Sequence, residues 1–319
     1  MTFEEYYNNL NPDIKEYFKI ICPSGIPTFI KMFVETKTMM RLANNSYFCG
    51  MQYASPKVYN FKFPLSRLDH SISTSLITWN NTFDVKQSLA ALFHDITTPA
   101  FSHVIDYMNG DFLEEKSTEL SIEKFIIKDK KLMKLLNLAN IKLDDVCDFK
   151  KYTIVDNARP KLCADRLDSL FLACYVWAQN VSLNEIKDVY EDICVKENED
   201  GEAELSFVST NAALKALELN DVINHKTHSD EDYISMNLLA AMTKRLIELN
   251  IISYDDLFVL DDVMAFNIIK EEAQTDNVMY ELLSKFTNLL YANIKDKKDV
   301  KDKQLNPLVI HKRNCERLK

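Results

Sequence analysis

Four side chains in the first half of the chain are of the types that hold a metal ion in proteins: His70, His94, Asp95 and Asp165. Imidazole nitrogens and carboxylate oxygens together make a mixed ligand set that leaves coordination positions open for water. His94 follows His70 by 24 residues, which fits two consecutive antiparallel helices joined by a short turn. Such a hairpin would bring both imidazoles together, and we therefore predict one metal site.

The elements around these residues restrict how they can meet. His94 and Asp95 end the apolar run "AALFHD", and neighbours on a helix point about 100° apart. Both can face one ion only if the ion lies beyond the helix end, and Pro99 indicates that the helix ends there. Asp165 falls in residues 162–180, a run that is apolar nearly all round and predicts a central helix. An unpaired carboxylate would be costly to bury there, and a cation would remove that cost.

The ligand types also favour particular ions. Two imidazoles favour Mn²⁺, Fe²⁺, Co²⁺, Ni²⁺ or Zn²⁺ over Mg²⁺, which prefers oxygen ligands, and we expect one such ion per chain. A metal in this shell can activate water and polarise a phosphoryl oxygen. Arg67, three residues before His70, and Arg166, beside Asp165, are predicted to bind substrate, because guanidinium groups pair bidentately with phosphate oxygens.

Composition predicts a mainly helical cytoplasmic protein. Of 319 residues, 47% are hydrophobic and 27% charged, the balance of a soluble globular chain, and Gly (4) and Pro (8) are scarce. The net charge of −10 disfavours stable binding to nucleic acid or to an anionic membrane. No apolar stretch reaches the roughly 18 residues that a membrane span needs, and the acidic start "MTFEEYYNN" is unlike a signal peptide. The seven cysteines are scattered and never spaced as CxxC, so we expect them to be reduced.

Periodicity divides the chain into two parts. Residues 1–180 are predicted to form a helical core that carries the metal site together with N-terminal helices. Residues 181–319 are predicted to add a small β-hairpin within 192–208 and C-terminal helices packed on the same core. The charged stretch 295–307 is predicted to be a solvated linker. The fold class is therefore all-α or mainly α, with additional C-terminal helices, at about 210–224, 230–249, 260–273 and 276–293.

At these same residues the chain resembles the HD-domain superfamily of metal-dependent phosphohydrolases, most closely its deoxynucleotide triphosphohydrolase branch. Four elements occur in the same order over residues 40–180: "RLDHSI", "LFHD", "PAFSHVID" and "ADRLDSL". The resemblance implies an HD-type helical bundle in which His70, His94, Asp95 and Asp165 are the metal ligands.

The resemblance also implies two catalytic residues. His103 matches the phosphate-contacting histidine of the branch, and Asp106 matches the aspartate of its dyad. In that reaction Asp106 would orient or deprotonate the attacking water, and His103 would donate to a phosphate or protonate the leaving oxygen.

The chain departs from the branch at four places. The branch has a histidine where Thr98 stands and a catalytic His-Glu where the counterpart here is Thr118-Glu119. A tyrosine and an aspartate of the branch are replaced by Ser169 and Ala173.

Two functions from different classes follow. The first is a hydrolase of phosphoesters, which cleaves a deoxynucleoside triphosphate or a related nucleotide or small phosphate by a metal-activated water. The second is a catalytically silent HD protein that binds a nucleotide and acts as a regulatory or partner-binding module. The retained metal ligands favour the first function, and the replaced histidines favour the second. Homo-oligomerisation through the C-terminal helices stays open, since no heptad repeat demands it.

Overall fold

The structure, a computed structural model, describes residues 1–113, 121–288, 303–311 and 314–318. Within these residues the chain is mainly α-helical, as predicted, with one small sheet. The helices are α1 Phe3–Asn9, α2 Pro12–Ile21, α3 Thr28–Val34, α4 Lys37–Arg41, α5 Arg67–Thr82, α6 Val85–Phe93, α7 Val104–Asn109, α8 Ile122–Lys128, α9 Lys130–Leu138, α10 Asp144–Cys147, α11 Ala164–Leu172, α12 Leu183–Glu191, α13 Thr210–Thr227, α14 Asp230–Glu248, α15 Asp262–Glu272 and α16 Asn277–Thr287.

The sheet has the strand order β1-β2-β3-β4, formed by Ile193–Glu197, Ala203–Phe207, Leu308–His311 and Asn314–Arg317. Strands β1 and β2 pair antiparallel and form the predicted hairpin. Strand β3 adds parallel to β2, and β4 returns antiparallel to β3. The sequence did not predict these two C-terminal strands, because they are short and follow a run of charged residues.

The prediction of a solvated linker was wrong for residues 303–307; residues 295–302 lie outside the described part of the chain. The Asn306 N–H donates to the carbonyl of Pro160 at 2.8 Å, and the Lys303 carbonyl accepts from Asn220 and Asn224 on α13. Composition could not reveal these contacts, since they join groups far apart in the sequence.

Two hydrophobic clusters hold the molecule together, and each combines residues from before and after position 180. The larger one packs α2, α3, α5, α6 and α11 with β2 and β3, through side chains such as Phe171, Phe207 and Val309. The second packs α7 on α14, α15 and α16 around Phe101 and Leu239.

Helices α5 and α6 form the antiparallel hairpin that the histidine spacing predicts. Helix α5 begins at a capping box, in which the Ser66 hydroxyl accepts from the Asp69 N–H and the Asp69 carboxylate accepts from the Ser66 N–H. Helix α6 begins at Asp84, which caps the N–H groups of Lys86 and Gln87. These start signals place His70 in the first turn of α5 and His94 just after the end of α6.

The predicted central helix at 162–180 has two parts. Helix α11 ends at Leu172 and continues as a π-helical segment, Ala173–Ala178. Such a segment widens the helix locally and is frequent at functional sites. Trp177, in this segment, lines a cavity of about 1160 Å³.

Candidate metal centre

The imidazoles of His70 and His94 face each other across the α5–α6 hairpin, with their Nε2 atoms 3.2 Å apart. His70 Nδ1 lies 2.6 Å from the Asp168 carboxylate, and His94 Nδ1 lies 2.7 Å from the Ala91 carbonyl. Both partners are acceptors, so each Nδ1 carries the proton that donates to them. Two neutral imidazoles would therefore direct Nε2 lone pairs at each other, and this arrangement requires a cation, either a proton or a metal ion, between them.

Two carboxylates complete the cluster. Asp165 Oδ1 lies 3.0 Å from His70 Nε2 and 3.7 Å from His94 Nε2, and Asp95 Oδ2 lies 3.7 Å from His94 Nε2. Ligands in adjacent positions around an ion with bonds of about 2.1 Å are separated by roughly 3.0 to 3.4 Å. The ligand atoms of His70, His94 and Asp95 all lie within 4.8 Å of one another. The donor set thus fits a divalent transition metal, with Asp165 beside the first three ligands.

The electrostatics of the cluster favour bound positive charge. Burial by itself lowers the pKa of His70, but hydrogen bonds to Asp165 and Asp168 outweigh it and raise the pKa to about 10. Burial tends to raise the pKa of Asp95, yet the charges of Arg67 and the two histidines hold it well below its ordinary range. Burial tends to raise the pKa of Asp165 as well, but the hydrogen bond with His70 and the charges of His94 and His70 together hold it well below its ordinary range.

A second layer of buried side chains orients the ligands. Asp168 is fully buried and accepts from the Tyr17 hydroxyl at 2.6 Å as well as from His70. Metal-binding histidines commonly donate their other nitrogen to a carboxylate in this way. Arg67 is 7% exposed and donates through Nη1 to Asp95 Oδ2 at 2.9 Å. Arg67 thus lines the cavity, while one of its amino groups holds Asp95, a predicted metal ligand.

The turn that carries Asp95 is anchored from α4. The guanidinium of Arg41 donates to the carbonyls of Ile96 and Thr98, and to that of Leu260. Arg41 is itself largely buried, and burial lowers its pKa to about 10. The chain after α6 is therefore held in a defined path, which turns Asp95 beyond the helix end beside His94.

His103 and Asp106 form a hydrogen-bonded pair. His103 Nδ1 lies 2.9 Å from Asp106 Oδ2; His103 lines the cavity, whereas Asp106 is fully buried and is absent from the cavity lining. The Asp106 carboxylate therefore contacts the His103 imidazole and not the cavity. Its contact is with Nδ1, which leaves Nε2 of His103 for another partner.

The Arg166 side chain also lines the cavity, but its guanidinium is engaged with the loop before α11. Nε donates to the Lys161 carbonyl, Nη1 to the Asp156 carboxylate, and Nη2 to both oxygens of Asn157. These contacts organise the segment that leads into Asp165.

The positions at which the chain departs from the HD pattern have distinct surroundings. The Thr98 hydroxyl donates to Asp95 Oδ1 at 3.2 Å and so contacts a metal ligand. Ser169 and Ala173 line the cavity, as does Tyr47. Thr118-Glu119 lies outside the described residues.

The cluster opens into a cavity of about 1160 Å³. Pockets that bind small ligands have volumes of about 300 to 1,000 Å³, so this cavity is large enough for a small-molecule ligand. One wall is aromatic: Phe48 and Phe61 stack with centroids 4.2 Å apart, and Tyr59 and Trp177 stack beside them. Lys150, Lys151 and Lys303 also line the cavity.

Comparison with known proteins adds one likeness. No family model matches the chain. The chain is similar to the uncharacterized protein YdhJ of Bacillus subtilis (strain 168), with 25% identity over 138 residues. That alignment covers 43% of this chain and 42% of the length of YdhJ. Of the helices in the described ranges, none combines the length and the apolarity needed to cross a membrane.

Sequence reasoning missed several residues of this site. Asp168 follows Asp165 by three positions and so lies on the same side of α11, which could have indicated a supporting carboxylate. Tyr17, Trp177 and Lys303 gave no such signal, since only the folded chain brings them to the cluster or the cavity.

Proposed function

We propose that this protein is a metal-dependent phosphohydrolase of the HD type, which cleaves a phosphoester of a nucleotide. The observation that carries the proposal is the pair of Nε2 atoms 3.2 Å apart, which two carboxylates approach in a cavity wall. The resemblance of the surrounding motifs to HD hydrolases supports the same reaction class.

The ligands of the ion would be His70, His94, Asp95 and Asp165. A divalent transition metal, Mn²⁺, Fe²⁺, Co²⁺, Ni²⁺ or Zn²⁺, supplies Lewis-acid polarisation and activates water near neutral pH. Asp168 holds the His70 ring in the orientation that presents Nε2 to the ion.

Substrate contacts come from residues at the edge of the cluster. Arg67 binds Asp95 through Nη1, and its Nε faces no partner among the described residues, which leaves that donor for a phosphate oxygen. His103 is the group that exchanges a proton with the substrate. Asp106 acts through His103: it keeps the proton on Nδ1, so that Nε2 is the atom that gives or takes one.

The organic part of the substrate is a nucleotide in this proposal. Its base would lie against the aromatic wall, because base–aromatic stacking stabilises by about 1–3 kcal/mol per base. We further propose a cytoplasmic protein without a stable nucleic-acid or membrane partner, consistent with the net charge of −10.

The proposal is tested by metal content and turnover together. Elemental analysis of the wild-type protein should find about one transition metal per chain. The double variant His94→Ala/Asp95→Ala should lose it, and Asp165→Ala should lose it while staying folded. With added Mn²⁺, the wild-type protein should release phosphate or triphosphate from a panel of nucleotides.

Other outcomes discriminate between the alternatives. Metal and nucleotide binding without turnover would favour a silent regulatory HD protein, because Thr98 replaces a histidine of the triphosphohydrolase pattern. A protein that binds no metal would remove the hydrolase proposal. Full metal content in Asp165→Ala would show that Asp165 is not a metal ligand and would leave the rest of the proposal in place.

A further inference from the structure

The chain between α6 and α7 makes a strained corner in the cavity wall. Phe101 has φ = 63° and Ser102 has φ = 50°, so two consecutive L residues are in the left-handed region. This conformation is unfavourable for residues with a Cβ atom, and for a bulky aromatic residue it is rare. Such a corner persists only where surrounding contacts hold it, and it often occurs at a functional site.

Contacts from distant elements hold the corner. Asp262, fully buried at the start of α15, accepts from the Phe101 N–H at 2.7 Å and from the Ser46 N–H at 2.9 Å. The Phe101 ring lies against Gly50, where an added Cβ would be 2.8 Å from Phe101 Cδ1. An ordinary turn would be enough to pack this segment. The strained backbone conformation therefore points to a role for the next side chain, Ser102.

Ser102 has an unusual environment. Its side chain lines the cavity, the residue is 1% exposed, and its Oγ has no hydrogen-bond partner in the described part of the chain. Arg67 is 7% exposed and lines the same cavity, and its Nε also has no hydrogen-bond partner in the described part of the chain. Both residues thus line one cavity, and Arg67 also lies beside Cys49, with its Nη2 3.8 Å from the thiol.

These two buried polar groups define the ligand that would satisfy them. The Arg67 Nε–H can only donate, and the hydroxyl of Ser102 can donate. A buried donor without a partner is rare in folded proteins and calls for an explanation such as an absent ligand. A group that accepts from both donors beside a cation site is an anionic oxygen.

We propose that Ser102 is an anion-binding residue, which donates its hydroxyl hydrogen to a phosphate oxygen of the ligand opposite Arg67 Nε. This inference rests on the proposed function in that it places a phosphate at the metal centre. Phe101, Asp262 and Gly50 are positioning residues, since they hold the corner that places Ser102 in the cavity wall.

The test is calorimetric titration of inorganic phosphate into the full-length, Mn²⁺-loaded protein. We expect Ser102→Ala to weaken phosphate binding at least about tenfold, because a hydrogen bond to a charged group is lost. Ser102→Gly should weaken it as much while raising the midpoint of thermal unfolding, since glycine relieves the positive φ. The pair therefore separates the hydroxyl from the backbone strain.

Ser71→Ala is the matched control. The Ser71 Oγ is also buried without a partner in the described ranges, but Ser71 does not line the cavity. Its variant should bind phosphate within twofold of the wild-type protein. An unchanged dissociation constant in both Ser102 variants, or a wild-type protein that does not bind phosphate, overturns the inference.

Failure of the inference and failure of the hydrolase proposal give different results. If no phosphoester is cleaved but phosphate binding depends on Ser102, the anion site stands and the hydrolase proposal falls. If nucleotides are cleaved while both Ser102 variants keep the wild-type KM and phosphate affinity, only the inference falls.

Discussion

Two buried tyrosine–aspartate pairs on α5 and its neighbours look alike but have different partners. Tyr17 donates to Asp168, which holds the proposed metal ligand His70, whereas Tyr6 donates to Asp69, which closes the capping box of α5. Both aspartates are buried. The difference in their partners makes the pairs a built-in comparison between support of the metal ligand and support of the helix.

Asp168→Asn should weaken metal binding by about 10- to 100-fold, because the oriented and charged partner of His70 is lost. Tyr17→Phe should give a smaller loss in the same direction. Competition with a chromophoric chelator measures both. Tyr6→Phe is the matched control and should leave metal affinity unchanged; equal effects of Tyr6→Phe and Tyr17→Phe would contradict the assignment of Asp168.

Asp262 predicts a pH dependence of stability. Burial raises its pKa from 3.8 to about 7, although the N–H groups of Phe101 and Ser46 and the charge of Arg67 oppose the shift. The folded protein therefore keeps a proton that the unfolded chain releases between about pH 4 and 7. The stabilisation that this proton contributes is complete below pH 4 and is lost as the pH rises through 7. The free energy of unfolding falls by up to about 1.4 kcal/mol per pH unit over this range.

Asp262→Asn should remove that contribution. Chemical denaturation of the wild-type protein and Asp262→Asn between pH 4 and 8 should give a difference in unfolding free energy that declines toward pH 7 and then levels off. Other charged or titratable groups that interact with Asp262 are Arg41, Cys49, Tyr53 and Asp261. A difference independent of pH would show that Asp262 is ionised in the folded protein throughout.

At the scale of elements, the site depends on how helices begin and end. The capping box at Ser66 fixes the start of α5 at Arg67. Helix α6 ends at Phe93, so His94 and Asp95 lie beyond the end of that helix. The cavity also depends on the close approach of the 3₁₀ turn after Gly50 to the corner at Phe101 and to Leu239 on α14.

Gly50→Ala should destabilise the protein by about 2–4 kcal/mol. Its φ of 80° is unfavourable for alanine, and the new Cβ would lie 2.8 Å from both Phe101 and Leu239. Denaturant unfolding measures the loss. Gly25→Ala is the control, because Gly25 has a φ of 83° but no atom within 4 Å of the added Cβ. If both variants lost the same free energy of unfolding, Phe101 and Leu239 would have to move away from the added Cβ at little cost.

At the scale of the whole molecule, strand β4 is linked through side-chain contacts to the segment that leads into α11. Arg317 in β4 pairs with the fully buried Glu204 in β2 at 2.9 Å, and Glu204 also accepts from the Leu162 N–H. Leu162 lies just before α11, which carries Asp165. The last strand is thus joined through one carboxylate to the segment that positions a metal ligand.

Arg317→Ala should cost about 3 kcal/mol of stability, because it leaves the buried Glu204 carboxylate without its counter-charge. The estimate is at the low end for a buried pair, since the Arg317 side chain is 18% exposed. The double variant Arg317→Ala/Glu204→Gln should recover much of this loss, as the uncompensated charge is gone. Equal stability of the single and double variants would contradict a charge-based contribution.

The helical class, the hairpin at 192–208 and the proximity of His70 to His94 could be predicted from the sequence, because helical periodicity, turn residues and the spacing of two antiparallel helices are local properties. The groups that support these features could not be predicted, because they come from distant parts of the chain. Tyr17 donates to Asp168, which is 151 residues away in the sequence. Strand β3 pairs with β2, although β3 follows a charged run that did not predict a strand. The corner at Phe101 and Ser102 depends in the same way on Asp262, since a left-handed backbone is held by contacts from elsewhere in the fold.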